Sequence, residues 1–266
     1  MQTNQKSLKW PLIVSLSVVG IIIGVFNFYQ KEPLMIVTDV LNVLIVIPLV
    51  VFSLILVAKN RLIGSLGKAW ACFTVCAISW SVAEVIWALD EMVFKQDPFP
   101  SSADFFWLVG FPFYLAFAFL YLKPFRNSIT VKTIVFAVCV SAVLMGFLIY
   151  YALSNSELSQ FETALLVSYP VGDAVCLIPT IIGFVMFFRG QVNFTWMLLL
   201  VGMFSFVIGD SAYQILSQNN LYYTGHPSDI VYLWAYVFFV FGVYDHNRIF
   251  RTRNAQNKFN DQEKLR

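Results

Sequence analysis

The sequence predicts an all-α fold, a polytopic transmembrane bundle of about eight helices. Three observations support this prediction. Of the 266 residues, 59% are hydrophobic and only 12% are charged, the mean hydropathy is +0.74, and long apolar runs recur along the whole chain. A soluble domain typically has about 25% charged residues. The predicted environment is therefore the lipid bilayer, and no stretch is long and polar enough to form a sizeable soluble domain.

Eight apolar runs define the predicted helices. The first, residues 10–28, follows two lysines as the core of a signal peptide would. It is long enough to span a bilayer and no small-residue cleavage site follows it, so we predict a retained helix. The second and third cover residues 34–58 and 70–94, and the fourth begins within segment 97–114 and ends near residue 122. The others cover residues 131–153, 161–188, 192–216 and 228–244.

The fourth and eighth predicted helices begin with similar segments. In Pro-Ser-Ser-Ala-Asp, Ser101 or Ser102 is the expected N-cap and Asp104 lies in the first turn, which is the order of a capping box. Near the C-terminus, Pro-Ser-Asp repeats this order and ends at Asp229. We name these two the Pro-Ser segments.

The helices that precede the Pro-Ser segments are also alike. Each carries an acid three residues before an aromatic residue, Glu84 before Trp87 and Asp210 before Tyr213. We therefore predict a parallel internal repeat that relates helices 1–4 to helices 5–8. Its halves cover about residues 10–125 and 129–247 of a membrane domain at 1–247, and residues 248–266 form a polar tail.

The charges between the helices predict the orientation of the bundle. Lys and Arg are concentrated near the N-terminus, in the loops after the second, fourth and sixth helices, and in the tail, whereas the alternate loops are neutral or acidic. Because basic loops remain in the cytoplasm, we predict a multi-pass plasma-membrane protein with both termini cytoplasmic. The two Pro-Ser segments then lie outside.

Acidic residues within the predicted helices are the candidate functional residues, and in this orientation most of them lie toward the outer surface. A carboxylate in lipid costs a few kcal/mol, so an acid at that depth faces the bundle interior or a wet cavity. An acid and an aromatic residue three positions apart share one helix face, where a small ligand could stack on the ring and hydrogen-bond the carboxyl group. The predicted ligand-binding residues are Glu84, Trp87, Asp104, Trp107, Tyr169, Asp173, Asp210, Tyr213, Asp229 and Tyr232.

A structural interpretation stays open for the same acids. Asp104 and Asp229 fit the role of helix caps. Glu84 and Asp210 could each bond a loop or a Tyr or Trp of the next helix, with no space left for a ligand.

Sequence patterns for catalysis, cofactors and metals are missing. The four cysteines lie within predicted helices without the spacing of a zinc site, and His226 and His246 fall on opposite sides of the membrane. There is no glycine-rich phosphate loop, Gly-x-Ser-x-Gly or His-Glu-x-x-His motif. We therefore predict no enzymatic activity, no cofactor, no metal site and no nucleic-acid partner.

One enzymatic alternative remains, an intramembrane aspartyl protease. The Gly-Asp pairs that end at Asp173 and Asp210 lie on consecutive helices, and they resemble the paired aspartates of presenilin-type proteases. The chain departs from that family's pattern at three points. Val207 stands where the family has the first Gly of Gly-x-Gly-Asp, Pro170 interrupts the Tyr-Asp pair, and no Pro-Ala-Leu follows.

A second resemblance extends from the second helix to the eighth. Residues 100–108, Pro-Ser-Ser-Ala-Asp-Phe-Phe-Trp-Leu, are followed by Phe-Pro at 111–112. They resemble the Pro-Ser-x-Ala-Asp-x-Phe-Tyr-Leu and Tyr-Pro signature of a multi-helix membrane input region found ahead of microbial diguanylate cyclases, phosphodiesterases and histidine kinases. Residues 169–173 and 209–213 are similar to its later motifs. The resemblance implies a sensory or ligand-responsive membrane domain and no catalytic residues.

The combined prediction is an integral membrane sensory or small-ligand-binding module with an outward-facing polar and aromatic cavity. No catalytic module follows Tyr244, so we expect a stand-alone module that acts through a cytoplasmic or membrane signalling protein. The alternative is a small cation- or proton-coupled transporter or channel. A transporter needs polar residues in its cytoplasmic half, but 44–57 and 116–122 are nearly devoid of ionisable groups. The sequence predicts no oligomeric state.

Overall fold

The structure, a computed structural model, describes residues 3–60, 62–154, 159–188, 190 and 194–264. The fold is 88% helical, and no strand occurs among the described residues, so the predicted all-α class is confirmed. Eight helices, named α1 to α8, span Thr3–Phe26, Lys31–Asn60, Gly64–Leu89, Ser102–Leu122, Val131–Leu153, Gln160–Phe188, Phe194–Gln218 and Asp229–Lys264. A π-helical turn at Asp90–Phe94 extends α3, and a 3-10 helix at Lys123–Ser128 follows α4.

Seven of these helices, α1 to α7, are long and apolar enough to cross a membrane. Their outward faces are apolar, as the 74% exposure of Val143 and the 57% exposure of Phe136 on α5 illustrate. Contiguous exposed apolar surface of this extent is unusual for a soluble monomer. The fold therefore supports a transmembrane protein, while the plasma membrane and the orientation of the termini stay predictions.

The predicted helix boundaries agree best with the observed ones where an apolar run is followed directly by a loop. For α5 the predicted and observed bounds coincide. The predicted start of α7 at Val192 lies outside the described residues. The predicted end of α8 near Tyr244 is wrong, because the helix continues to Lys264. Apolarity ends at Tyr244, but no Gly or Pro follows to break the helix; the tail side chains from residue 249 onward lie outside the described residues.

Six helices enclose the interior of the bundle. Going around this six-helix circle, α2 contacts α3, followed by α4, α6, α7 and α8, which returns to α2. The remaining two helices pack outside it, α1 against α8 and α2, and α5 against α6 and α7. In this order α2–α4 and α6–α8 occupy successive halves, as a parallel repeat would require, but the structural equivalence of the halves stays a prediction.

The helices alternate in direction, so the connections after α1, α3, α5 and α7 share one end. We call it the Pro-Ser end because it carries both Pro-Ser segments. There Lys95 forms an ion pair with Glu32 at 3.6 Å. At the opposite end, the tail end, Trp70 Nε1 donates to His246 Nε2 at 3.1 Å.

The core between the two ends is built from aromatic rings. Trp80 stacks on Phe206 with centroids 4.5 Å apart, and nearer the tail end Tyr121 stacks on Trp196 at 4.1 Å. The indole of Trp80 lies against Gly110 so closely that a Cβ there would be 1.9 Å from Nε1. Close contact between α3 and α4 thus depends on this glycine.

Candidate functional site

A cavity lies inside the six-helix circle at its Pro-Ser end, and all six helices contribute to its wall. Its volume is about 80 Å³, counted as the space that the centres of water molecules can occupy. This volume suffices for several water molecules or for one small organic molecule. Nine of the ten predicted ligand-binding residues line it: Glu84, Trp87, Asp104, Trp107, Tyr169, Asp210, Tyr213, Asp229 and Tyr232.

The cavity opens toward the loops of the Pro-Ser end. A wider depression of about 1180 Å³, which we call the vestibule, lies among these loops. The cavity and the vestibule adjoin, because they share six lining residues: Trp87, Phe99, Leu166, Tyr213, Tyr222 and Thr224.

Glu84 and Asp210 are held by tyrosines of α8. The Tyr236 hydroxyl donates to Glu84 Oε1 at 2.6 Å, and the Tyr232 hydroxyl donates to Asp210 Oδ1 at 2.6 Å. Residues four apart lie on one face of a helix, so a single face of α8 binds acids from both α3 and α7.

Asp104 is both a helix cap and a cavity residue. The predicted capping box is present, with Ser101 as N-cap: the Ala103 N–H donates to Ser101 Oγ at 3.1 Å, and the Ser101 N–H donates to Asp104 Oδ2 at 2.8 Å. The other carboxyl oxygen, Oδ1, accepts from the Tyr169 hydroxyl of α6 at 2.6 Å. The cap thus fixes the carboxyl group where it can also contact α6.

Asp229 is the first residue of α8, and it closes the loop before that helix. Its Oδ2 accepts from the Gly225 N–H at 2.8 Å and from the Tyr222 hydroxyl at 3.1 Å. Burial, assisted by the nearby Asp229, raises the pKa of Tyr222 well above its ordinary value. The phenol therefore remains a neutral donor near pH 7.

The tenth predicted residue, Asp173 on α6, lies behind the cavity wall. It is 1% exposed and does not line the cavity. Its carboxyl group is within hydrogen-bonding reach of Asp210, but neither of its oxygens accepts from an N–H or O–H donor of the described residues. A proton shared between the two carboxyl groups would remove their repulsion.

The aromatic residues of the site form a continuous wall. Trp87 lies 5.3 Å from Trp107 and 6.0 Å from Tyr213, measured between ring centroids, and Tyr213 lies 4.6 Å from Tyr222. These spacings are typical of interacting aromatic pairs. The wall joins the deep part of the cavity to its mouth.

The structural interpretation of the acids fits some of these contacts. Asp104 caps α4 and Asp210 bonds a tyrosine of the next helix, as that interpretation expects, whereas Glu84 of α3 bonds a tyrosine of α8. The same acids line a cavity, for which that interpretation left no space. Sequence reasoning missed Asn42, Tyr222 and Tyr236; the position of Tyr236 four residues after Tyr232 is a signal that could have identified it.

The cavity wall has no basic side chain among the residues that line it. Nor does the described part of the chain contain a group of three or more His, Cys, Asp or Glu residues that could hold a metal ion. The site therefore presents carboxyl groups and aromatic surfaces to whatever occupies it.

Comparisons of this chain with protein-family models, with curated proteins and with solved structures found no match. The resemblance to microbial membrane input regions accordingly stays a prediction. Function has to be argued from the geometry of the site.

Proposed function

We propose that this protein is an integral membrane sensory module that binds a small ligand in the cavity from outside the plasma membrane and acts through a partner protein. The observation that carries the proposal is the convergence of nine predicted residues, from five helices, on one cavity with an open mouth. Sites of this kind are usually concave and largely aromatic, with a few polar groups that orient the ligand.

The filled tail-end half of the bundle supports a sensor over the alternative transporter or channel. The stacked pair Tyr121–Trp196 lies next to Phe117, with which both rings are in contact. Trp70, which is fully buried, packs against the same phenylalanine. Transport through the bundle would require all these rings to separate, whereas binding from the Pro-Ser end requires no such movement.

Helix α8 supports the second part of the proposal, action through a partner. Its Tyr232 and Tyr236 bond the cavity acids Asp210 and Glu84. The helix has 36 residues, a length of about 54 Å at 1.5 Å per residue, whereas the hydrocarbon core of a bilayer is about 30 Å thick. A ligand that disturbs either hydrogen bond thus acts on a helix that extends beyond the tail end, where a partner could bind it.

The contact between Asp173 and Asp210 is the one observation that favours the aspartyl protease alternative. Such a protease needs both carboxyl groups to reach water and a peptide bond. Asp173 is 1% exposed and lies outside the cavity lining, which is evidence against the protease alternative.

Thermal unfolding of the purified full chain, followed by tryptophan fluorescence, tests ligand binding. A panel of small cationic, neutral and anionic compounds should contain one that raises the unfolding temperature. At 100 times its Kd, a ligand that binds only the folded state stabilises it by about 2.7 kcal/mol.

Two variants assign that stabilisation to the cavity. Leu166→Trp adds bulk at the passage between vestibule and cavity and should abolish it. Val143→Trp, on the exposed face of α5, should leave it intact. If no compound stabilises the protein, or if Leu166→Trp responds like the unsubstituted chain, the proposed function is wrong.

A further inference from the structure

We infer that the ligand of this cavity is a small organic cation, an amine or quaternary ammonium compound, which enters through the acidic vestibule. This inference rests on the proposed function and specifies its ligand. Two independent features of the site support it, namely its acidic lining and its aromatic wall.

The charge of the site is strongly one-sided. Four acids line the cavity, and its lining contains no Lys, Arg or His. The vestibule adds four acids and one cation, Lys95, which already pairs with Glu32. A second cation, Lys31, lies 4.6 Å over the ring of the vestibule residue Tyr223. Burial lowers the pKa of His226, the histidine of the adjoining loop, and so disfavours its charged form. Walls of one sign in a recessed site concentrate ligands of the opposite charge.

The tyrosine partners of the acids do not supply the missing positive charge. Each of the four acids accepts one phenol hydroxyl, from Tyr169, Tyr222, Tyr232 or Tyr236. These hydroxyl groups are neutral donors, so they orient the carboxyl groups without forming ion pairs. A cationic ligand would provide the counter-charge that the described lining residues do not, and it would favour the ionised form of these buried acids.

The aromatic wall favours an organic cation over a bare metal ion. Trp87 lies within 6.0 Å of both Trp107 and Tyr213, and such clustered rings bind alkylated ammonium groups through cation–π attraction. A metal ion would instead need several oxygen or nitrogen ligands at one point. The four lining acids are held apart by different tyrosines, and the described residues include no group able to hold a metal ion.

Three probes of matched shape test the inference: choline, its uncharged isostere 3,3-dimethylbutan-1-ol, and the anion 3,3-dimethylbutyrate. Binding to the purified full chain is measured by tryptophan fluorescence and by thermal unfolding. Choline should bind at least tenfold more tightly than the alcohol, and the carboxylate should not bind. This comparison uses the unsubstituted protein, so it does not depend on whether a variant folds.

Charge-neutralising variants locate the effect. Glu84→Gln and Asp210→Asn should each weaken choline binding at least tenfold and leave the alcohol unchanged. Glu32→Gln is the control, because that side chain is 73% exposed at the vestibule rim and already paired with Lys95; it should change choline affinity less than threefold.

The outcomes separate the inference from the proposed function. If the alcohol or the carboxylate binds as tightly as choline, in a manner that Leu166→Trp abolishes, the cavity is a ligand site but the inference is wrong. The inference is also wrong, and the cavity still a ligand site, if the compounds of the thermal-unfolding panel that bind are all uncharged or anionic. If no compound of any charge binds, the proposed function fails as well.

Discussion

Removing a single oxygen atom, through Tyr232→Phe, should reveal how strongly the buried acids depend on tyrosine. The Tyr232 hydroxyl donates to Asp210 Oδ1 at 2.6 Å, and the other oxygen, Oδ2, has no donor among the described residues. The variant therefore leaves the Asp210 carboxyl group, among the described residues, with the Asp173 carboxyl group alone as a possible donor. The ring itself, which packs edge-on against Phe206, is retained.

Two known energies bound the loss of stability that Tyr232→Phe should cause. Leaving a buried acceptor unsatisfied costs about 1–3 kcal/mol, whereas interhelical hydrogen bonds in membrane proteins contribute about 0.6 kcal/mol on average and at most about 1.7. We expect Tyr232→Phe to lower the free energy of unfolding by about 1–2 kcal/mol, since the neighbouring carboxyl group of Asp173 is then the one remaining hydrogen-bond partner of Asp210 among the described residues. Reversible unfolding in mixed micelles, followed by tryptophan fluorescence, measures it.

The matched control is Tyr150→Phe on α5, where the side chain is 73% exposed; it should change the free energy by less than about 0.5 kcal/mol. A double-mutant cycle with Asp210→Asn then isolates the pair, and the two changes should be non-additive by more than about 0.5 kcal/mol. An effect of Tyr232→Phe no larger than that of Tyr150→Phe would refute the reasoning, because it would mean that Asp210 is solvated without the tyrosine.

Two further predictions concern packing and orientation. Gly110→Ala would bring a Cβ within 1.9 Å of the Trp80 indole, so it should destabilise the fold by about 1–3 kcal/mol, whereas Gly146→Ala, with nothing within 4 Å, should be neutral or slightly stabilising in the same unfolding assay. Cysteines introduced at Gln96 and Asn219 should react with an impermeant thiol reagent only from outside the cell; reaction from the cytoplasmic face alone, at either site, would contradict the predicted topology.

The fold could be predicted from the sequence because each transmembrane helix is indicated by its own run of apolar residues. Apolar runs of spanning length and the Ser101 cap gave α4 and α5 close to their observed bounds. The end of α8 was not predicted, because hydropathy indicates which residues lie within the membrane and not where a helix ends. A helix can continue beyond the membrane with polar residues, so the end of an apolar run does not mark the end of the helix.

The site was predictable to a different extent. Acids within apolar helices are costly, and this cost, together with the aromatic residue three positions after each acid, identified Glu84 and Asp210. Their hydrogen-bond partners on α8 were not predicted, because nothing local indicates which helices become neighbours across the bundle. Asp173 shows the same limit: the sequence predicts it as a ligand-binding residue, but the packing of α6 against α7 places it beside Asp210 and outside the cavity lining.

The most direct test of the account is the accessibility of a cysteine at Leu166, which lines both cavity and vestibule. The leucine is only 5% exposed, so labelling of the cysteine depends on an open path from the vestibule. The four native cysteines, all free thiols, are first replaced by alanine. An impermeant thiol reagent should label Leu166→Cys from outside sealed membrane vesicles and not from the cytoplasmic face, while a cysteine at Leu200, which is 1% exposed in the aromatic core, should be labelled from neither face. Labelling of Leu166→Cys from the cytoplasmic face, or its protection from both faces, would contradict a cavity that opens only to the outside.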